Sequence, residues 1–214
     1  MTRNGTHTYA HNAEGRILFV DGGSTAQYIY NALSQRVREV LNGSVANEYA
    51  FNAAGQRVAE WTGDTAHPDN TLVQGKYYLG AKPVAFYKNG ATYFEHQDWL
   101  GTERLRTTYN GGVEGSYTSL PFGDDLPTST GGQPLSDDTD ANHFATLDHD
   151  YETDTEHAQF RQYNSEQGHW MSPDPYYGSY DSSNPQSFNR YVYALNNPLG
   201  LVDPSGLAGV YCEA

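Results

Sequence analysis

Cysteine is nearly absent from this sequence. Cys212 stands alone, so no intrachain disulfide can form and cysteine pairing says nothing of the redox compartment. No apolar run approaches the roughly 20 residues that a helix needs to cross a bilayer, and the first ten residues, MTRNGTHTYA, lack the apolar core of a signal peptide. A membrane span is therefore not expected, and export would use information outside these residues. Basic residues are few, 12 against 26 acidic ones, for a formal net charge of −14. Long-range repulsion then opposes encounter with nucleic acid or an anionic membrane, and the same charge favours solubility. No nucleophile motif, phosphate-binding loop or metal-ligand spacing appears, which argues against a diffusible enzyme and leaves no cofactor or metal expected.

Val, Ile, Leu and Met are sparse; the apolar content is instead aromatic, with 18 Tyr, 8 Phe and 3 Trp beside 22 Gly and 10 Pro. Aromatic side chains suit a pleated, half-buried surface, and Gly, Pro, Asn and Asp supply turns. An all-β chain with little helix is expected, and 214 residues suffice to bury a core.

The first sixty residues repeat. They read YAHNAEGRILF from Tyr9, YIYNALSQRVREV from Tyr28 and YAFNAAGQRVAEW from Tyr49, with Asn12, Asn31 and Asn52 spaced by 19 and 21 residues. Each unit has the pattern of a hairpin: an alternating aromatic strand, a turn over Asn-x-x-Gly or Asn-x-x-Ser, then an Arg and an apolar return strand. Arg16, Arg36 and Arg57 are expected to form a ladder stacked on neighbouring aromatics, the alternative being solvated edge charges. Two further hairpins are expected between Lys76 and Tyr93, turning at Ala81-Lys82-Pro83 and Lys88-Asn89-Gly90.

His96 and Asp98 carry ligand-type side chains, yet no third ligand accompanies them, and hydrogen bonding to the turn before Leu100-Gly101 accounts for both. Asp124 to Asn142 is rich in turn formers and reads as a mobile loop. His143, His149 and His157 stand near acids at irregular spacing, as on a solvated acidic surface.

The spacing Tyr-x-x-Asn-x-x-Gly-(x)-Arg resembles the YD repeats of the Rhs family, which includes the C components of bacterial insecticidal toxin complexes. The resemblance extends through His96-Gln97-Asp98-Trp99-Leu100-Gly101-Thr102-Glu103-Arg104, Pro121-Phe122-Gly123, Phe160-Arg161-Gln162-Tyr163-Asn164 and Ser172-Pro173-Asp174-Pro175. It ends in Asn189-Arg190-Tyr191-Val192-Tyr193, Asn196-Asn197-Pro198 and Asp203-Pro204-Ser205-Gly206-Leu207. Tyr191, Tyr193, Asn196, Asn197, Pro198, Pro204 and Gly206 are its structural motif positions. His169 stands where the family pattern has Arg.

This resemblance implies YD-repeat hairpins forming part of a curled sheet or shell, closed by an inward-spiralling core plug. It divides the chain into repeat hairpins over 1–61, further hairpins over 62–123, an acidic flexible loop over 124–143, an Rhs-associated core over 144–207 and a tail over 208–214. Family members carry a toxin after this point, enclosed as cargo and often freed by self-cleavage; here the scissile bond would be Leu207–Ala208. Asp174 and Asp203 are then the catalytic pair, one carboxylate activating water and one protonated carboxyl donating to the carbonyl, with His169 in support. An enzyme of this kind is at most a single-turnover aspartic autoprotease. The implied partners are the remaining shell repeats or another β-shell chain at an exposed strand edge, and the implied location is secreted or cell-surface, delivered by a secretion system. The alternative is an adhesin-like module in which rows of Tyr stack on a glycan or cell-surface protein.

Overall fold

The computed structural model describes residues 5–67, 71–124, 142–207 and 210–211. Among them there is no α-helix, only short 3-10 turns, so the chain is all-β. The loop expected over Asp124–Asn142 lies almost wholly outside the described residues.

Eleven strands form one antiparallel meander in which strand order follows chain order. They are β1 (Tyr9–His11), β2 (Ile17–Val20), β3 (Ala26–Tyr30), β4 (Arg36–Leu41), β5 (Val45–Phe51), β6 (Arg57–Asp64), β7 (Thr71–Leu79), β8 (Lys82–Lys88), β9 (Ala91–Gln97), β10 (Glu103–Thr108) and β11 (Val113–Ser116). Two compact units divide the chain: a first of Met1–Ala13, Ile17–Glu95 and Thr108–Gly112, and a second of Glu14–Arg16, His96–Thr107 and Val113–Ala214.

The hairpins of the first unit follow from their turn chemistry. Asn31 Oδ1 accepts from the amides of Leu33 and Gln35 at 2.9 and 3.0 Å, while its Nδ2 donates to Gln35 Oε1. Asn52 repeats this on Ala54 and Gln56 at 2.9 and 3.0 Å. In both five-residue loops the first N–H donates to the fifth carbonyl and the fourth N–H to the first carbonyl. The fourth residue must therefore take positive φ, 81° for Gly55 and 65° for Ser34. Ser34 adopts it at a cost of about 1 kcal/mol relative to Gly, the price of its Cβ in the left-handed region. The same backbone bonds recur in 98–102, 108–112 and 120–124, with Gly101, Gly111 and Gly123 in the fourth position. The Asp98 turn and the Pro-Phe-Gly element are thus copies of the repeat loop with other side chains.

Two members of the expected arginine ladder stack as predicted: the Arg36 guanidinium lies 4.8 Å from the Tyr28 ring centroid, and Arg57 the same distance from Tyr49. Tyr28 and Tyr49 are buried, and burial together with Glu39 and Glu60 drives the Tyr49 phenol well above its ordinary range. The β7–β8 turn falls at Gly80-Ala81, one position earlier than expected. Pro83 sits inside β8, opposite Tyr78 and beside the register shift between Tyr77 and Tyr78. A bulge is a place where a strand tolerates a missing N–H.

The second unit adds a four-stranded sheet of β12 (Asp148–Asp150), β13 (Thr155–His157), β14 (Gln162–Asn164) and β15 (His169–Trp170), and a hairpin of β16 (Leu201–Val202) with β17 (Val210–Tyr211). Its core is aromatic. Tyr163, Trp170 and Tyr193 are each 0% exposed, with ring centroids 4.6 to 5.7 Å apart, and Phe144 stacks on Tyr163 at 5.9 Å. Leu100, Leu147, Leu201 and Val202 belong to the same cluster. Tilted and offset ring pairs of this kind add about 0.5–1.5 kcal/mol each beyond their area.

Candidate functional site

Asp174 and Asp203 come from opposite ends of the C-terminal segment, one following β15 and the other following β16, and both face Arg161. Arg161 is 3% exposed and lies in the turn between β13 and β14, where the Ala158 N–H donates to the Arg161 carbonyl at 3.0 Å. Its Nη2 donates to Asp203 Oδ2 at 3.0 Å and to Asp174 Oδ2 at 3.4 Å. Its Nη1 donates to the Arg190 carbonyl at 3.2 Å, and its Nε donates to the Gly206 carbonyl in a close contact. The guanidinium plane rests on Trp170, 4.4 Å from the ring centroid. Burial draws Arg161 below its ordinary value, opposed by the charges of Asp174 and Asp203, and the group stays protonated.

Each aspartate also caps its own turn. Asp203 Oδ1 accepts from the amides of Gly206 and Leu207 at 2.9 and 3.0 Å. Asp174 Oδ1 accepts from the Tyr176 amide at 2.8 Å, and its Oδ2 accepts from Ser179 Oγ at 2.9 Å. Arg190, whose Nη2 donates to the carbonyls of Asp174 and Tyr176 at 2.7 and 2.6 Å, supplies a second cation. Two carboxylates therefore face two guanidinium groups, and the cluster is close to neutral. A cavity of about 30 Å³ opens beside it, lined by Arg161, Asp174, Asp203, Ser179, Asn189 and Leu195 among others. That is room for about one water molecule, with several polar partners in reach.

Gly206 must be glycine. Its φ is +78°, and an added Cβ would sit 3.2 Å from the Arg161 backbone nitrogen and Cβ. Across the cavity Ala194, Leu195 and Asn196 take φ values of 46°, 52° and 60°, three successive left-handed residues. Each such non-glycine residue costs about 1–2 kcal/mol. Burial of Tyr193 and the Leu201 amide donating to the Asn197 carbonyl at 2.9 Å hold the turn closed.

The motif positions fall in distinct places. Tyr193 is in the aromatic core, Pro198 is buried, and Tyr191 and Pro204 are exposed. Asn196 donates to Gln186 Oε1 at 3.0 Å, and Asn197 directs the tight turn at Gly200. His169 does not support the pair as expected. It is exposed on β15 with Nδ1 2.6 Å from the Gln167 carbonyl, and the cation between the aspartates is Arg161. Ala208 lies outside the described residues, so only the Leu207 side of the expected scissile bond is visible.

Elsewhere in this unit, Asp98 serves its turn. Its Oδ1 accepts from the amides of Leu100 and Thr102 at 2.9 and 3.1 Å, its Oδ2 accepts from Arg104, and His96 pairs with Thr107 Oγ1. The solvated acidic surface expected around the histidines is corrected. His143 and Glu103 are buried together with Arg106, His143 Nδ1 lying 2.8 Å from Glu103 Oε2. His149 Nδ1 lies 2.9 Å from Oε1 of the buried Glu156. These acids turn inward because a cation or imidazole meets each of them there.

Burial pushes the Glu156 carboxyl up from 4.5, only partly opposed by His149 and His143. Burial lowers His149, but the hydrogen bond and charge of Glu156, with Asp154 and Asp150, outweigh it and leave His149 above its ordinary 6.5. Both groups take up protons on folding, so their stability contribution is present below the unfolded values and is lost as pH rises through the folded ones. Thermal unfolding of this unit should therefore occur at lower temperature as pH is raised from about 4 to 8, the range spanning the ordinary values of the two groups. His149→Gln should flatten the upper part of that profile; an unchanged slope would refute the assignment.

No family model matches the chain. Among curated proteins it is 29% identical over 212 residues to the tRNA3(Ser)-specific nuclease WapA of Bacillus spizizenii, which is 96% of this chain and 9% of that protein. It is 28% identical over 211 residues to the tRNA nuclease WapA of Bacillus subtilis, with the same coverage. The chain thus spans about a tenth of the length of these curated relatives. Among solved structures, a chain of the Photorhabdus luminescens Tc holotoxin pore matches with a TM-score of 0.72 at 16% identity, over 100% of this chain and 10% of that one. A chain of the TcdB2-TccC3 structure matches with a TM-score of 0.68 at 16% identity, over 95% and 10%. The fold is shared with those toxin-complex chains.

Proposed function

We propose that this chain is a structural C-terminal segment of an Rhs-type β-shell that encloses or presents a toxin, and that its Asp203–Leu207 turn is a site of single-turnover self-cleavage after Leu207. The observation that carries the cleavage is the linkage of both carboxylates to the backbone beside that bond. Arg161 ties Asp174 and Asp203 to the Gly206 carbonyl, while Asp203 holds the Leu207 amide. Water from the adjoining cavity would give a proton to Asp174 and attack the Leu207 carbonyl carbon. Arg161 would stabilise the oxyanion, and the proton would pass to the Ala208 nitrogen as the C–N bond breaks. The products are a Leu207 carboxylate and a free amine.

Intact-mass measurement of purified protein tests this. The mass should fall by residues 208–214, and Asp174→Asn and Asp203→Asn should each slow the loss at least about a hundredfold, the scale of removing a catalytic acid–base group. A wild type that stays intact from about pH 4 to 9 would sink the proposal.

The shell part rests on the shared fold and on the edge strand β1, which among the described residues neighbours β2 alone in the sheet. A strand edge of this kind is a template for further hairpins. Fast amide exchange along β1 in the isolated chain, suppressed when upstream repeats are included, is the expected signature. Delivery as a secreted or cell-surface protein belongs to the same proposal.

A second function is favoured by one feature of the second unit. Tyr176, Tyr177, Tyr180, Phe188 and Tyr191 are all exposed, Tyr177 by 90%, and Tyr180 stacks on Phe188 at 5.2 Å. Such a surface suits the faces of sugar rings. Binding on a glycan array that is lost in Tyr177→Ala would support an adhesin-like module, and absence of any binding would remove it.

A further inference from the structure

The chain beyond Leu207 is held by the fold as well as the chain before it. β17 runs antiparallel to β16, with Leu201 opposite Tyr211 and Val202 opposite Val210. β16 is a firm template, since Leu201 and Val202 are each 5% exposed and belong to the aromatic core. On the upstream side, Asp203 and Arg161 grip Gly206 and Leu207. In the sequence only Ala208 and Gly209 separate these two anchored stretches, residues 206–207 and residues 210–211.

Resting on self-cleavage after Leu207, we infer that β17 is a positioning strand: the third and fourth residues beyond the cut are recognised as extended backbone on β16, whatever their side chains. Hydrolysis needs the reacting carbonyl held against its catalytic groups, and a misplacement of about 1 Å costs about a hundredfold. A β-ladder sets both the position and the direction of the incoming chain through main-chain N–H and C=O groups. Side-chain-blind recognition defines the substrate as any chain able to lie extended at 210–211. It excludes chains that place proline there or stop short of it.

The test compares four full-length or shortened chains by intact mass. Val210→Ala with Tyr211→Ala should be cleaved within about twofold of wild type, because the ladder uses the backbone. Val210→Pro with Tyr211→Pro removes two N–H donors, and a chain ending at Gly209 removes the strand without placing proline near the bond. Both should slow cleavage about ten- to a hundredfold. Equal rates for wild type, the proline pair and the shortened chain would overturn the inference while leaving self-cleavage intact. If wild type is never cleaved, it is self-cleavage that fails. Amide exchange at 210 and 211 in the Asp203→Asn protein then decides the strand by itself: slow exchange supports its docking on β16, and exchange as fast as in an unfolded peptide overturns it.

Discussion

Replacing Arg161 by methionine should destabilise the second unit by about 3–5 kcal/mol near neutral pH, because it leaves two buried carboxylates facing each other with their shared cation gone. The Asp174 and Asp203 side chains are 8% and 2% exposed, so water cannot take over the solvation that the guanidinium provides. Methionine fills much of the volume over Trp170, which separates loss of charge from loss of packing. Arg161→Lys should recover part of the loss, since an ammonium restores the charge but cannot reach two carboxylates and two carbonyls from one planar fork. Urea unfolding followed by tryptophan fluorescence checks this; a deficit under about 1 kcal/mol, no larger than an exposed pair would give, would contradict the structure.

Trp170→Ala should cost a similar amount, about 3–5 kcal/mol, for a different reason. The indole is 0% exposed and touches Tyr163 and Tyr193 with centroid separations of 5.4 and 5.7 Å, so truncation opens a cavity at the centre of the aromatic core. It also removes the surface on which the Arg161 guanidinium lies at 4.4 Å. A cation–π contact of this kind, shielded from water, contributes up to about 2 kcal/mol. Trp170→Phe should be far milder, under about 2 kcal/mol, because a ring remains under Arg161 and the indole N–H has no partner among the described residues to lose. If cleavage after Leu207 occurs, it should weaken in Trp170→Ala and persist in Trp170→Phe. Equal effects of the two substitutions on stability and cleavage would show that the ring under Arg161 is not what holds the site.

Much of the hairpin architecture was legible because its causes are local. Asn31 and Asn52 cap amides two and four residues on, and Gly55 supplies a positive φ three residues after Asn52, so a five-residue window contains every atom that shapes the loop. Asp98 was legible for the same reason. Arg161 was visible only as part of an aromatic-Arg-x-Tyr motif, and its role was missed. Its partners Asp174, Arg190, Asp203 and Gly206 stand 13, 29, 42 and 45 residues away. No periodicity links such positions. The one signal within reach was scarcity, an arginine beside Phe160 in a chain with 12 basic residues. His169 drew attention in its place because it occupied a family position. His143 and His149 read as groups on a solvated acidic surface for a similar reason, since the charge of a residue favours solvent until a particular partner is brought to it.

The sequence by itself determined the all-β character of this protein, its repeat and its turns, since backbone preferences and side-chain caps act over a few residues and hold in any surroundings. Only the tertiary structure decided that Asp174 and Asp203 share one guanidinium, and that Glu156 beside His149 lies inside. Burial and pairing depend on which distant elements meet, and a carboxylate becomes a site only when its partners arrive from elsewhere in the fold.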